Sequence, residues 1–140
     1  VSNYPGLNPS LRQDAFEVFG HMAAEVEALN RSKGWYDEER SVGDFVALLH
    51  SEVSEILEAY RDHKFADATV PFTNSAELNS MLEERGHKPA KPEGVGAEMA
   101  DVLIRLLDMA KRWNVDLVAE YERKMKYNWT RPYRHGNRAL

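Results

Sequence analysis

The chain has 140 residues, the size of one ordinary domain, and 43% of them are hydrophobic, enough for a core. Lysine and arginine number 18 against 23 acidic residues, and this formal charge of −5 argues against nucleic-acid binding driven by net charge. There is no cysteine, which excludes disulfides and thiolate metal sites, and no apolar run approaches the roughly 20 residues that span a bilayer.

Residues 1–10, "VSNYPGLNPS", read as a flexible polar arm broken by Pro5, Gly6 and Pro9. They lack the basic and apolar regions of a signal peptide, so a soluble, cytoplasmic chain without a membrane partner is expected. Ser10 is the expected cap of a first helix over about 11–30, whose apolar positions Phe16, Phe19, Met22, Ala23, Val26 and Leu29 keep helical spacing. Gly34 stops that helix, and "KGWYDEERSVGD" is a connecting loop.

A second helix is predicted over about 42–60, with Phe45, Leu49, Val53, Ile56 and Tyr60 as its stripe and Val46, Leu48 and Leu57 widening it. Residues 63–95 form a long irregular connection containing Pro71, Pro89 and Pro92, with a short helix expected in "SAELNSMLEERG" up to Gly86. Connections of this length are often functional. The third helix, about 97–113, is apolar around most of its circumference and belongs in the centre of a bundle. "RWNVD" makes a tight turn, with Asn114 or Asp116 as cap, before a fourth helix over about 117–129. Residues 130–140 are a basic tail broken by Pro132 and Gly136. No strand-like alternation, repeat or domain boundary occurs. The expected architecture is all-α, one domain with a four-helix-bundle-like core.

Two helices carry acids where apolar residues belong. Glu52 and Glu55 in "HSEVSEILEAYR" are three apart and share a face, and Glu52 has Phe45, Leu48, Leu49, Ile56 and Ala59 as neighbours. Glu98 and Asp101 repeat the spacing on the third helix, with Arg105 and Asp108 continuing that stripe. A buried carboxylate is costly unless something positive meets it. Oxygen-only ligands suit hard cations, Mg²⁺ first and Mn²⁺ as a substitute, and such ions commonly serve phosphate esters. The rival explanation is a set of salt bridges to Arg105 or Arg61. A di-iron bundle would need Glu-x-x-His on two helices, which neither pair supplies.

"ERKMKYNWTRPYRHGNR" is basic within an acidic chain. Lys124, Asn128 and Arg131 would share a face if the helix continued that far, with Arg134 and His135 beyond. Cations and an amide donor suit a triphosphate. Positive charge at a helix carboxy terminus is the alternative explanation. Trp35 offers a surface for stacking on a base, or a cap for the core. His21 and Asn30 are polar residues of the first helix within reach of a base edge.

The Glu-x-x-Glu of "HSEVSEILEAYR" and the Glu-x-x-Asp of "EMADVLIRLLDMA" resemble the two motifs of the all-α nucleoside triphosphate pyrophosphohydrolases, the MazG-like group. "KMKYNWTRPYRHG" is similar to the Lys, Asn and Arg segment that follows them, and "KGWYDE" resembles the tryptophan loop of the phage and actinobacterial branch. The resemblance covers roughly 34–138. It implies Mg²⁺-dependent hydrolysis of a nucleoside triphosphate to the monophosphate and pyrophosphate. On that basis Glu52, Glu55, Glu98 and Asp101 are the expected metal ligands, with Glu52 or Glu55 also orienting the attacking water. Lys124, Asn128, Arg131 and Arg134 are expected at phosphates and Trp35 at the base. It also implies a homo-oligomer, a dimer or tetramer. The chain departs from the family at Ser51, where many members carry a further glutamate, and in its long connection. A non-catalytic nucleotide-binding or helical interaction module is the alternative.

Overall fold

The computed structural model describes residues 4–62, 84–86 and 91–133. The fold is all-α, and among the described residues it has four α-helices: α1 (Pro9–Ser32), α2 (Val42–Arg61), α3 (Val95–Arg112) and α4 (Leu117–Asn128). Every boundary falls within two residues of the expected one. No helix among the described residues is long and apolar enough to cross a membrane. Most of the 63–95 connection, including nearly all of the short helix expected there, lies outside the described residues, as do Arg134 and His135.

The helix ends follow local chemistry. α1 begins at Asn8 rather than Ser10, because the Asn8 side chain accepts from the Leu11 N–H at 2.9 Å and Pro9 fits the first helical position. Gly34 closes α1 at φ +71°, where a Cβ would lie 2.7 Å from Asp37 Oδ2. Ser41 caps α2 in a reciprocal box. Its hydroxyl accepts from the Asp44 N–H at 3.2 Å, and Asp44 Oδ2 accepts from the Ser41 N–H at 2.8 Å. Those bonds hold the Asp44 carboxyl below its ordinary range. Asn114, at φ 53°, turns the chain out of α3, and Asp116 caps α4 through the Val118 and Ala119 N–H groups, both at 3.0 Å.

The chain divides into two compact units, residues 1–33 with 107–140, and residues 34–106. α3 runs through both. In the first, α1 packs against α4, and the buried apolar side chains are Ala23, Val26, Leu107, Ala110 and Val118. Phe16, Phe19 and Leu29 of the expected α1 stripe stay 51, 36 and 45% exposed. The arm expected to be flexible is tied down over its described part. Leu7 N–H donates to Glu122 Oε1 at 3.3 Å, Arg12 pairs with Glu122 at 2.5 Å, and Tyr4 lies 6.2 Å from the Trp129 ring.

In the second unit α2 is turned differently from its expected stripe. Phe45 and Ala59 are buried, and Leu48, Leu49, Glu52, Glu55 and Ile56 are half-buried. Val42, Val46, Val53, Leu57 and Tyr60 remain 61, 39, 48, 48 and 59% exposed. Apolar residues cover more than half of this helix, so periodicity alone allows either edge to face inward. The side that carries Glu52 is the covered one. α3 is likewise less buried than its all-round apolarity predicts. Its fully buried residues are Leu107, Asp108 and Ala110, and Leu106 is 38% exposed.

Candidate metal centre

Glu52 and Glu55 project from α2, and Glu98 and Asp101 from the first turns of α3, all within the 34–106 unit. α3 starts at Gly94, whose φ of 97° belongs to glycine and whose carbonyl accepts from Ala97 and Glu98 N–H at 3.0 and 3.2 Å. That entry puts Glu98 in the first helical turn. One carboxylate oxygen each from Glu52, Glu98 and Asp101 lies within 4.8 Å of the others. Glu52 and Glu98 are half-buried and Asp101 is exposed. Glu55 stands outside this triad and accepts from the Ser51 hydroxyl at 3.5 Å.

The charge of the cluster is felt by its members. Burial, and then repulsion from Glu55, Asp101 and Glu52, raises the Glu98 pKa above the ordinary carboxylate value. A helix amino terminus favours an anion, and here burial and repulsion outweigh it. Burial and Glu52 also raise the Asp101 pKa, while Arg105 and Lys91 pull it down. Lys91 opposes the rise at Glu98 too.

The cation on Glu52 is Arg105. Its Nε donates to Glu52 Oε1 at 2.9 Å, and its Nη2 lies 2.8 Å from the same oxygen. Both side chains are largely covered, at 23 and 12% exposure. Of the two arginines named from the sequence, this is the one carried by the facing acidic helix. Lys91 was missed by sequence reasoning. It precedes α3 in a Pro-Gly segment, where no periodicity predicts which way a side chain turns.

The remaining expected residues belong elsewhere. Lys124, exposed, and Asn128, half-buried, lie on α4 in the other unit. The helix ends at Asn128, three residues before Arg131, whose N–H donates to the Asn128 carbonyl at 3.1 Å and whose guanidinium sits 5.3 Å from the Tyr127 ring centroid. The Asn128 side-chain oxygen is buried without a hydrogen-bond partner among the described residues. Trp35 is 44% exposed and does not cap the core. His21 is exposed beside Glu25 at 3.7 Å, and Asn30 is buried at 4% exposure.

Comparisons with known protein families, with curated proteins and with solved structures find no match.

Proposed function

We propose that the protein is a divalent-metal-dependent nucleoside triphosphate pyrophosphohydrolase, converting an NTP or dNTP to the nucleoside monophosphate and pyrophosphate. The observation that carries this reading is the convergence of Glu52 with Glu98 and Asp101, two helices contributing to one group of oxygens. Carboxylate oxygens alone suit Mg²⁺ or Mn²⁺, and because bonds of about 2.0–2.1 Å keep oxygens on one ion within about 4.2 Å of each other, a group spread over up to 4.8 Å would draw in slightly around the ion. Burial first, and neighbouring carboxylates second, raise the Glu98 and Asp101 pKa values, and a divalent cation would favour their charged forms. The acidic motifs, read as a resemblance, supply the substrate class.

Glu52, Glu98 and Asp101 would hold the ion, which when bound polarises phosphate oxygens and lowers the pKa of a coordinated water. Arg105, with Nε and Nη2 on Oε1 of Glu52, would orient that carboxylate as a ligand. Glu55, outside the triad, would accept the proton of the attacking water at a carboxylate oxygen. The open Trp35 ring, in the same unit as the cluster, would stack on the base.

Pyrophosphate release from a panel of ribo- and deoxynucleoside triphosphates with Mg²⁺ tests the reading. Release from at least one nucleotide is expected. Glu52→Gln and Asp101→Asn are each expected to lower kcat by about 10³-fold or more with unchanged circular dichroism. Full activity in both variants would sink the metal assignment, and no release from any nucleotide would sink the enzyme. A second reading draws on Arg105, which already neutralises Glu52: a non-catalytic helical or nucleotide-sensing module in which the two residues form an inter-helix ion pair. It predicts no heat of Mg²⁺ binding by calorimetry.

A further inference from the structure

A cavity of about 330 Å³ lies between the amino-terminal arm and α4, wholly within the unit formed by residues 1–33 and 107–140. Gly6, at φ +65°, bends the arm so that Tyr4 reaches the Trp129 ring and Leu7 reaches Glu122. The arm is thereby the outer wall of the cavity, and α4 with the start of α1 supplies the rest. Arg12 lines it from α1, and Glu122, Arg123 and Lys126 line it from α4. The arm from Tyr4 to Asn8 brings no charge. Three cations therefore meet one carboxylate, in a chain whose formal charge is −5. Lys126 alone would be explained as positive charge favoured near a helix carboxy terminus. That does not account for Arg12 and Arg123 on the same hollow.

We propose that this cavity binds a phosphate group, free or carried on a small monoester. The inference is independent of the metal reading, because the cavity shares no residue with the acidic cluster. Nor is it lined by Lys124, Asn128 or Arg131. The one carboxylate inside is already engaged. Glu122 has a side chain only 12% exposed, and its Oε1 accepts from the Leu7 N–H at 3.3 Å and Arg12 Nη2 at 3.0 Å, while Oε2 pairs with Arg12 Nε. Its charge fixes the wall of the cavity rather than filling it. Arg123 and Lys126 are three apart on α4, so they are neighbours, and both are open to solvent. Arg123 also pairs with Glu120, which lies outside the lining. Such exposed pairs are worth little and yield to a better anion. With Glu120 counted, cations still outnumber acids around the cavity. A phosphate monoester carries about −1.5 to −2 at neutral pH, and its oxygens match a guanidinium fork and an ammonium together. Tyr4 and Leu7 give the remaining space a partly apolar wall for a small organic group.

Calorimetry on the full chain in metal-free buffer tests the proposal without engaging the candidate metal centre. The probes are inorganic phosphate, phenyl phosphate and the singly charged dimethyl phosphate, all at one ionic strength. Saturable binding of inorganic or phenyl phosphate at one site per chain is expected, with dimethyl phosphate weaker. Tighter binding of phenyl phosphate assigns the site to a monoester, and tighter binding of inorganic phosphate assigns it to the free ion. Arg123→Ala and Lys126→Ala are each expected to weaken binding about 5-fold. Gly6→Val changes no charge but strains the positive φ that bends the arm. It should weaken binding similarly with unchanged circular dichroism, which a bare patch of surface charge would not show. No saturable binding of either doubly charged probe overturns the proposal. So does unchanged affinity in Arg123→Ala, Lys126→Ala or Gly6→Val, or loss of binding in Lys124→Ala instead.

Discussion

Glu52 illustrates how a buried charge is tolerated. It stands among apolar neighbours because Arg105, on the facing helix, places two nitrogens on one of its oxygens. Arg105→Gln would leave a half-buried carboxylate unpaired. A fully buried pair loses ~3–5 kcal/mol on such a break. Both side chains here keep some contact with water, so ~1–2 kcal/mol is expected, a fall in Tm of about 3–6 °C. Adding Glu52→Gln should restore most of it in a double-mutant cycle, and additive losses would show that the pair is not coupled. Glu98 and Asp101 behave oppositely. Their pKa values are raised in the folded chain, so without metal their stabilising contribution is present below the ordinary carboxylate range and is lost as pH rises through the raised values. Glu98→Gln also relieves a like-charge pair with Asp101, worth about 0.2–0.5 kcal/mol. In metal-free buffer it should raise Tm by about 1–2 °C at neutral pH, with no difference near pH 3. A lower Tm at neutral pH would contradict this account.

At the scale of elements, the caps explain where the helices begin. The reciprocal bonds of Ser41 and Asp44 start α2 at Val42, and Glu52 and Glu55 lie on its covered side. Ser41→Ala should cost about 1 kcal/mol, the usual worth of such a cap, seen as a lower midpoint in urea with an unchanged slope. The four helices were legible in the sequence because their apolar spacing is strong and their ends carry Pro9, Gly34, Ser41 and Asp116. The rotation of α2 was not. Glu52 looked like an intrusion into a buried stripe, yet much of that stripe faces outward and Glu52 lies on the covered side. The end of α4 at Asn128, three residues before Arg131, was equally hidden. Pro132 forbids a longer helix but does not say how many residues earlier the last turn gives way.

At the scale of the whole molecule, few large side chains are deeply buried. Among the described residues Leu107 is the large one at 1% exposure, and most of its buried apolar companions are alanine or valine. Folding stability is a small difference between large terms, so each deep contact matters. Leu107→Ala should cost ~2–5 kcal/mol and lower Tm more than truncating the exposed Leu11 or Leu57. Equal effects at these positions would mean that burial in the single chain does not set its stability.

The sequence by itself determined the all-α class, the helix boundaries to within two residues, and the presence of two acidic pairs at helical spacing. These are consequences of local rules: the 3.6-residue period, the capping residues, and the exclusion of proline and glycine from helix interiors. Only the tertiary structure brought an oxygen each of Glu52, Glu98 and Asp101 within 4.8 Å of one another, with Glu55 near enough to repel Glu98. It alone decided that Arg105 rather than Arg61 meets Glu52, and that α2 keeps apolar residues outside. Each depends on how far one helix is rotated about its axis against another. Apolar residues around most of α2 and α3 make several rotations nearly equal in hydrophobic burial, and the choice falls to charge pairing across the helices.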